Sequence, residues 1–116
     1  MKQTIKIQKD KRTYNVFKDN SHYNNNIYTH IISDLGDASL LYYGYYISSL
    51  FVMPESRHQG IGTEILSLAE SLIKDDGWEY CELIADRKSL IPFYDKLGYV
   101  IIKDEYNNGI LMRKYF

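Results

Sequence analysis

The sequence predicts a mixed α/β fold: a mostly antiparallel sheet with one parallel strand pair around a strand–helix–strand crossover. Three observations predict it. The first half of the 116-residue chain alternates apolar and polar side chains in short runs, the period of half-buried strands. From Ile61 the period lengthens to that of an amphipathic helix. Strand, helix and strand signals then follow one another to the end of the chain with no linker between them.

Residues 4–8 and 13–17 alternate, and Lys9-Asp10-Lys11 between them can form a tight hairpin connection. Residues 21–26 are polar and asparagine-rich, which reads as loop. Residues 27–33 are β-branched and aromatic and predict a third strand. Leu35-Gly36-Asp37 turns the chain, and residues 40–43 and 45–52 follow as strands hinged at Gly44. Ile61, Ile65, Leu68, Ala69, Leu72 and Ile73 make one helical stripe, Glu64, Glu70 and Lys74 face away from it, and Gly77 is a left-handed stop. Residues 80–85 are short and apolar, as a strand covered on both faces should be. Ser89 can cap a second helix with Pro92 in its first turn and Gly98 at its end. Residues 99–103 and 110–115 form a last hairpin around Asn107-Asn108-Gly109. A crossover between strands 45–52 and 80–85 makes that pair parallel and right-handed.

An apolar content of 45% is enough for one core, and no repeat or Pro/Ser-rich linker divides the chain, so residues 1–116 are expected to form one domain. A net charge of −1 gives no electrostatic case for general nucleic-acid binding. Lys2, Lys6, Lys9, Lys11 and Arg12 cluster near the start and read as a solvated strand face. Cys81 is the only cysteine, which excludes an internal disulfide and any multi-cysteine metal cage; its apolar run marks it as a buried structural thiol, and no metal is expected. No apolar stretch is long enough for a signal peptide or a membrane span, so a cytoplasmic protein without membrane contact is expected. The 12 tyrosines suit strands and sheet edges, where a hydroxyl can stay wet.

The most informative segment is Leu50-Phe51-Val52-Met53-Pro54-Glu55-Ser56-Arg57-His58-Gln59-Gly60-Ile61-Gly62. A buried strand ends, a polar turn follows, and two glycines open an amphipathic helix. A helix start offers unpaired amides and the positive end of the peptide dipole, which together favour a phosphate oxygen. Gly60 and Gly62 remove Cβ atoms that would hold a pyrophosphate away. Neither Lys-Ser nor Lys-Thr follows the glycines, so the turn is not a Walker A loop, and Ile65 stands where the dinucleotide fingerprint needs glycine. From spacing alone, a glycine-rich turn packed tightly on a strand stays open as the plainer reading.

Arg57-x-x-Gly60-x-Gly62, just after a strand and a Pro-Glu turn, resembles the acetyl-CoA pyrophosphate motif of GNAT acetyltransferases, Gln/Arg-x-x-Gly-x-Gly/Ala. Ile91-Pro92-Phe93-Tyr94-Asp95-Lys96-Leu97-Gly98-Tyr99 is similar to that family's C-terminal motif. The resemblance covers about residues 45–103 and implies a GNAT-like, acetyl-CoA-dependent N-acetyltransferase, a minimal member. It implies that the backbone of Arg57, His58, Gln59, Gly60, Ile61 and Gly62 binds the pyrophosphate of coenzyme A. The strand end Phe51-Val52-Met53 would pair with the pantetheine arm where the parallel strands splay, with a backbone amide near residues 50–52 polarising the acetyl carbonyl. Tyr94 takes the place of the general acid that protonates the departing thiolate; a helix–strand packing role is the plainer alternative.

The sequence departs from the family pattern in three places. Ser48 and Ser49 stand where many members carry a glutamate base, leaving Glu82, or water reached through Tyr46, as substitutes. Arg87-Lys88-Ser89 replaces a cofactor-contacting asparagine, and Arg87 or Lys88 could face a cofactor phosphate. No amphipathic helix appears before residue 60, so the acceptor groove is expected to be open. That suits a protein or peptide lysine better than an enclosed small amine; a homodimer that closes the groove is the alternative. The expected function is acetyl transfer to a primary amine, small molecule or protein lysine, by direct attack. Its rivals are a catalytically weak module that binds acetyl-CoA or a protein partner, and a plain interaction domain without a ligand.

Overall fold

A computed structural model of the chain describes residues 2–9, 12–19, 28–33, 38–52, 54 and 60–116. The strands are β1 (Lys2–Lys9), β2 (Arg12–Asp19), β3 (Tyr28–Ser33), β4 (Ala38–Tyr43), β5 (Tyr46–Val52), β6 (Tyr80–Ala85), β7 (Val100–Tyr106) and β8 (Gly109–Tyr115). Helix α1 (Ile61–Asp75) lies between β5 and β6, and helix α2 (Ile91–Lys96) between β6 and β7. The strands form one eight-stranded sheet in the order β1-β2-β3-β4-β5-β6-β8-β7. Only β5 and β6 are parallel; every other neighbouring pair is antiparallel. This is the mixed sheet with one parallel pair that the sequence predicts.

The elements differ from expectation in instructive ways. The first strands run a residue or two beyond their alternating cores, because the ladder is held by backbone groups and continues past the last apolar side chain. Gly44 is not a hinge within a strand. With Tyr45 it forms a two-residue hairpin between the paired Tyr43 and Tyr46, and its φ of 56° is the positive value such a turn demands. The second helix begins later than its serine signal: Lys88–Leu90 forms a 3-10 turn, Ser89 makes no capping hydrogen bond, and Pro92 sits in the first turn of α2. The amide of Leu90 reaches the carbonyl of Arg87 at 3.1 Å, so the tight turn does the work expected of a cap. The turns expected at Asp10-Lys11 and Leu35-Gly36-Asp37 and the asparagine-rich loop at 21–26 lie outside the described residues.

Helix α1 packs across β4, β5 and β6. Its buried residues Ile61, Ile65, Leu66, Leu68, Ala69 and Ile73 meet Val16, Ile31, Ile47, Cys81, Leu83 and Met112 from the sheet. A polar chain runs through this core. Tyr99 Oη donates to Glu70 Oε2 at 2.8 Å, so the Cys81 thiol, 3.2 Å away, is the donor to Tyr99, while Lys114 Nζ holds Glu70 Oε1 at 2.9 Å. Every member is satisfied, which makes such a network stabilising. Alternation sends Tyr46, Glu82 and Arg113 to the opposite face, which no described helix covers.

The feature that positions the site is a break in the sheet. Leu41 pairs with Ser49 but Tyr42 pairs with Ile47, so Ser48 is an extra residue, a β-bulge, in β5. The parallel ladder to β6 ends at the same point, after Tyr46–Glu82 and Ile47–Leu83. A bulge bends its strand and increases the local twist. Beyond it β5 follows β4, β6 follows β8, and the two parallel strands part.

Candidate active site

Where β5 and β6 part, a cleft of about 160 Å³ opens on the helical side. Ser48, Ser49 and Leu50 form its β5 wall, Leu83 and Ile84 its β6 wall, and Leu66, Leu90 and Tyr94 close it from the helices. The carbonyl of Tyr94 accepts from the amides of Leu97 at 3.0 Å and Tyr99 at 3.1 Å, which fixes the end of α2 to the start of β7. Its ring sits edge-on to Phe93 and to Tyr99, with centroids 5.0 and 5.7 Å away. The side chain is buried, and among the described residues its hydroxyl makes no hydrogen bond. Burial raises the phenol's pKa, and the nearby carboxylate of Asp86 raises it further. A neutral phenol is thus held at the cleft wall, a proton donor at any pH near neutrality.

Gly60 caps the start of α1 with φ 76° and no side-chain capping bond, and its carbonyl accepts the amide of Glu64 at 3.0 Å. A Cβ added at Gly60 would meet nothing within 4 Å among the described residues, and the backbone angle is what calls for glycine. A Cβ on Gly62 would touch Val52 Cγ2 at 3.5 Å, so the β5 end and the helix start are neighbours. Ile61 is a core residue and can serve a ligand only through its backbone. Phe51 and Val52 continue β5 beyond the cleft wall, which Ser48, Ser49 and Leu50 supply instead. Met53, Arg57, His58 and Gln59 lie outside the described residues. Arg87 and Lys88 line a surface hollow with Asp104 and Glu105 rather than the cleft itself, and Asp86 is common to the two.

The helix-free face carries a second, larger cavity of about 430 Å³ around Tyr45, Tyr46, Trp78, Glu82 and Tyr106. Ile84 lines both cavities, so they are neighbours beside the parting of β5 and β6. Glu82 is buried, and Arg113 contacts its Oε2 twice, through Nε at 2.8 Å and a terminal nitrogen at 2.6 Å. Arg113 in turn stacks on Tyr80, 4.3 Å from the ring centroid, and donates to Tyr115 Oη at 3.0 Å. Sequence reasoning named Glu82 and Tyr46 but missed Trp78, Tyr106 and Arg113. A lone carboxylate inside an apolar strand was the legible signal; its partners come from β8, the β7 end and the residue after the α1 stop.

The fold and cleft place the chain among α/β proteins that open a crevice where the strand order changes, the usual position for a ligand. A family model described as an acetyltransferase (GNAT) domain matches residues 3–115, and the chain belongs to that family. Among solved structures, a GCN5-related N-acetyltransferase from Rhodopseudomonas palustris matches with TM-score 0.67 at 24% identity, over 77% of this chain and 62% of that one. The PaiA N-acetyltransferase from Thermoplasma acidophilum, in complex with coenzyme A, matches with TM-score 0.63 at 26% identity, over 84% of this chain and 65% of that one. An acetyltransferase from Bacillus cereus shares the fold with TM-score 0.58 at 21% identity, over 91% of this chain and 74% of that one. The chain thus spans under two thirds of the length of the first two. A comparison with curated proteins finds no match.

Proposed function

We propose that the chain transfers an acetyl group from acetyl-CoA to a primary amine by direct attack. The observation that carries this reading is the parting of β5 and β6 at the Ser48 bulge, which opens a cleft faced by the Tyr94 phenol. The cleft is narrow and its lining includes the polar Ser48, Ser49 and Asp86, which suits the extended, amide-bearing pantetheine arm, and the start of α1 supplies amides for phosphate. Acetyl-CoA brings an activated thioester. The chain's own residues position it and move protons. Glu82, directly or through a water, takes a proton from the incoming ammonium. As the amine nitrogen bonds the acetyl carbon it becomes cationic and loses its second proton to solvent, the carbon–sulfur bond breaks, and Tyr94 donates its proton to the departing sulfur. Solvent then takes the proton from Glu82 and returns one to Tyr94, so one proton is released per turnover.

Glu82 enters this reading more strongly than its position in the sequence alone warrants, because its cavity and the Tyr94 cleft share Ile84. The PaiA structure's coenzyme A supports acetyl-CoA as co-substrate here. Release of free thiol from acetyl-CoA, followed with polyamines, aminoglycosides and lysine peptides, tests the proposal. Saturable, amine-dependent release is expected. Coenzyme A binding without release for any amine would favour a module that binds acetyl-CoA without transferring it.

A further inference from the structure

The cavity on the helix-free face is more specific than an open groove. Its polar centre is Glu82, and its walls are the rings of Tyr45, Tyr46, Trp78 and Tyr106. Tyr45 lies 5.1 Å from Trp78 in an edge-on arrangement and 5.1 Å from Tyr80, so one wall is a continuous aromatic surface. Both Arg113 contacts fall on Glu82 Oε2, and among the described residues Oε1 has no hydrogen-bond partner. Arg113 is itself committed to Tyr80 and Tyr115, which fixes the carboxylate and leaves the cation behind it rather than in the cavity. No lysine or arginine is among the described residues that line the cavity.

A carboxylate oxygen without a hydrogen-bond partner among the described residues, in a cavity lined by four aromatic side chains, has a definite ligand chemistry. The faces attract cations and the oxygen accepts from N⁺–H. Rings on several sides also hold a flat or unbranched apolar stem, whereas an acceptor bearing its own carboxylate or phosphate near the amine would meet no counter-charge.

Building on the reading of the Tyr94 cleft as the thioester site, we propose that this cavity is the acceptor subsite and that it selects an unbranched alkylammonium. A lysine side chain and a free diamine share that chemistry. The ammonium meets Glu82 Oε1, the methylenes lie between the Tyr45–Trp78 wall and Tyr106, and Ile84 marks the passage to the thioester.

The chain's single tryptophan is Trp78, in the wall of this cavity, so its emission reports entry. Protein saturated with coenzyme A, its binding checked by calorimetry, is titrated with cadaverine, a lysine-containing peptide, glutamate and 1-pentanol. Cadaverine or the peptide, or both, should change Trp78 emission saturably, and the tighter of the two identifies the source of the alkylammonium. The uncharged pentanol should bind at least about tenfold more weakly, the loss expected from one missing charge-assisted hydrogen bond, and so should glutamate, whose carboxylates would lie beside Glu82. Glu82→Gln should weaken the cation by about the same factor. Tyr106→Leu, at an exposed hairpin position, should weaken it by a smaller factor while circular dichroism and coenzyme A affinity stay unchanged. A flat emission response to both alkylammonium ligands, or pentanol binding as well as cadaverine, would overturn the proposal. If coenzyme A fails to bind but cadaverine still titrates Trp78 through Glu82, the acetyl-transfer reading falls and the alkylammonium site stands.

Discussion

Tyr94 and Cys81 are both buried groups of weak acidity, and burial gives them opposite fates. Tyr94 faces a cleft, so its raised pKa keeps it a donor; Cys81 faces the core, so its thiol, pushed up to about 11 mainly by burial, is inert. Tyr94→Phe should leave coenzyme A affinity within a few-fold and lower turnover by about 10²–10⁴, since only the transition state uses the proton. The sign of the pH dependence follows from the direction of the shift. The donor is the neutral form and its folded pKa is raised, so the alkaline fall in wild-type turnover should come above the reference value near ~10, not below it. A fall between pH 7 and 9 that Tyr94→Phe abolishes would contradict the assignment. For Cys81, labelling by a thiol reagent at pH 8 should be slow in the native protein and fast in denaturant. Rapid native labelling would mean that the Cys81–Tyr99–Glu70 chain opens readily.

At the scale of elements, the two glycines at the start of α1 separate into different roles. Gly60 is held at φ 76°, where a side chain costs roughly 1–2 kcal/mol, while Gly62 lies inside the helix with only an ordinary contact to Val52. Gly60→Ala should therefore lower both thermal stability and coenzyme A affinity, and Gly62→Ala should change each much less. Equal effects at the two positions would show that the turn's geometry does not matter to the ligand. The same elements show what a sequence displays. Local periods and turn chemistry mark the strands, α1 and the last hairpin; Asn107 and Asn108 take the positive φ values, 48° and 64°, that their turn requires. The Ser48 bulge has no such mark, because it depends on how β4 and β5 register across the sheet. The 3-10 turn at Lys88–Leu90 was hidden behind a serine that looks like a cap.

At the scale of the molecule, the sheet separates two tasks. The helical side holds the Tyr94 cleft and the start of α1, and the bare side holds Glu82 within its aromatic wall. This division was only half legible. The motifs around Gly60 and Tyr94 point to one side of the sheet, whereas the other is assembled from Tyr45, Trp78, Glu82, Tyr106 and Arg113, residues brought together by the parallel β5–β6 pair and by the insertion of β8 between β6 and β7. Long-range pairing of that kind leaves no local trace in the chain. The central claim is that acetyl-CoA lies along the parted strands and the start of α1. Titrating ¹⁵N-labelled protein with coenzyme A and following backbone amide shifts tests it most directly. We expect the perturbed amides to cluster at Ser48, Ser49, Leu50, Gly60, Ile61, Gly62 and Tyr94, with β1 and β2 unmoved. Shifts confined to β1–β3, or a spectrum unchanged at millimolar coenzyme A, would contradict it.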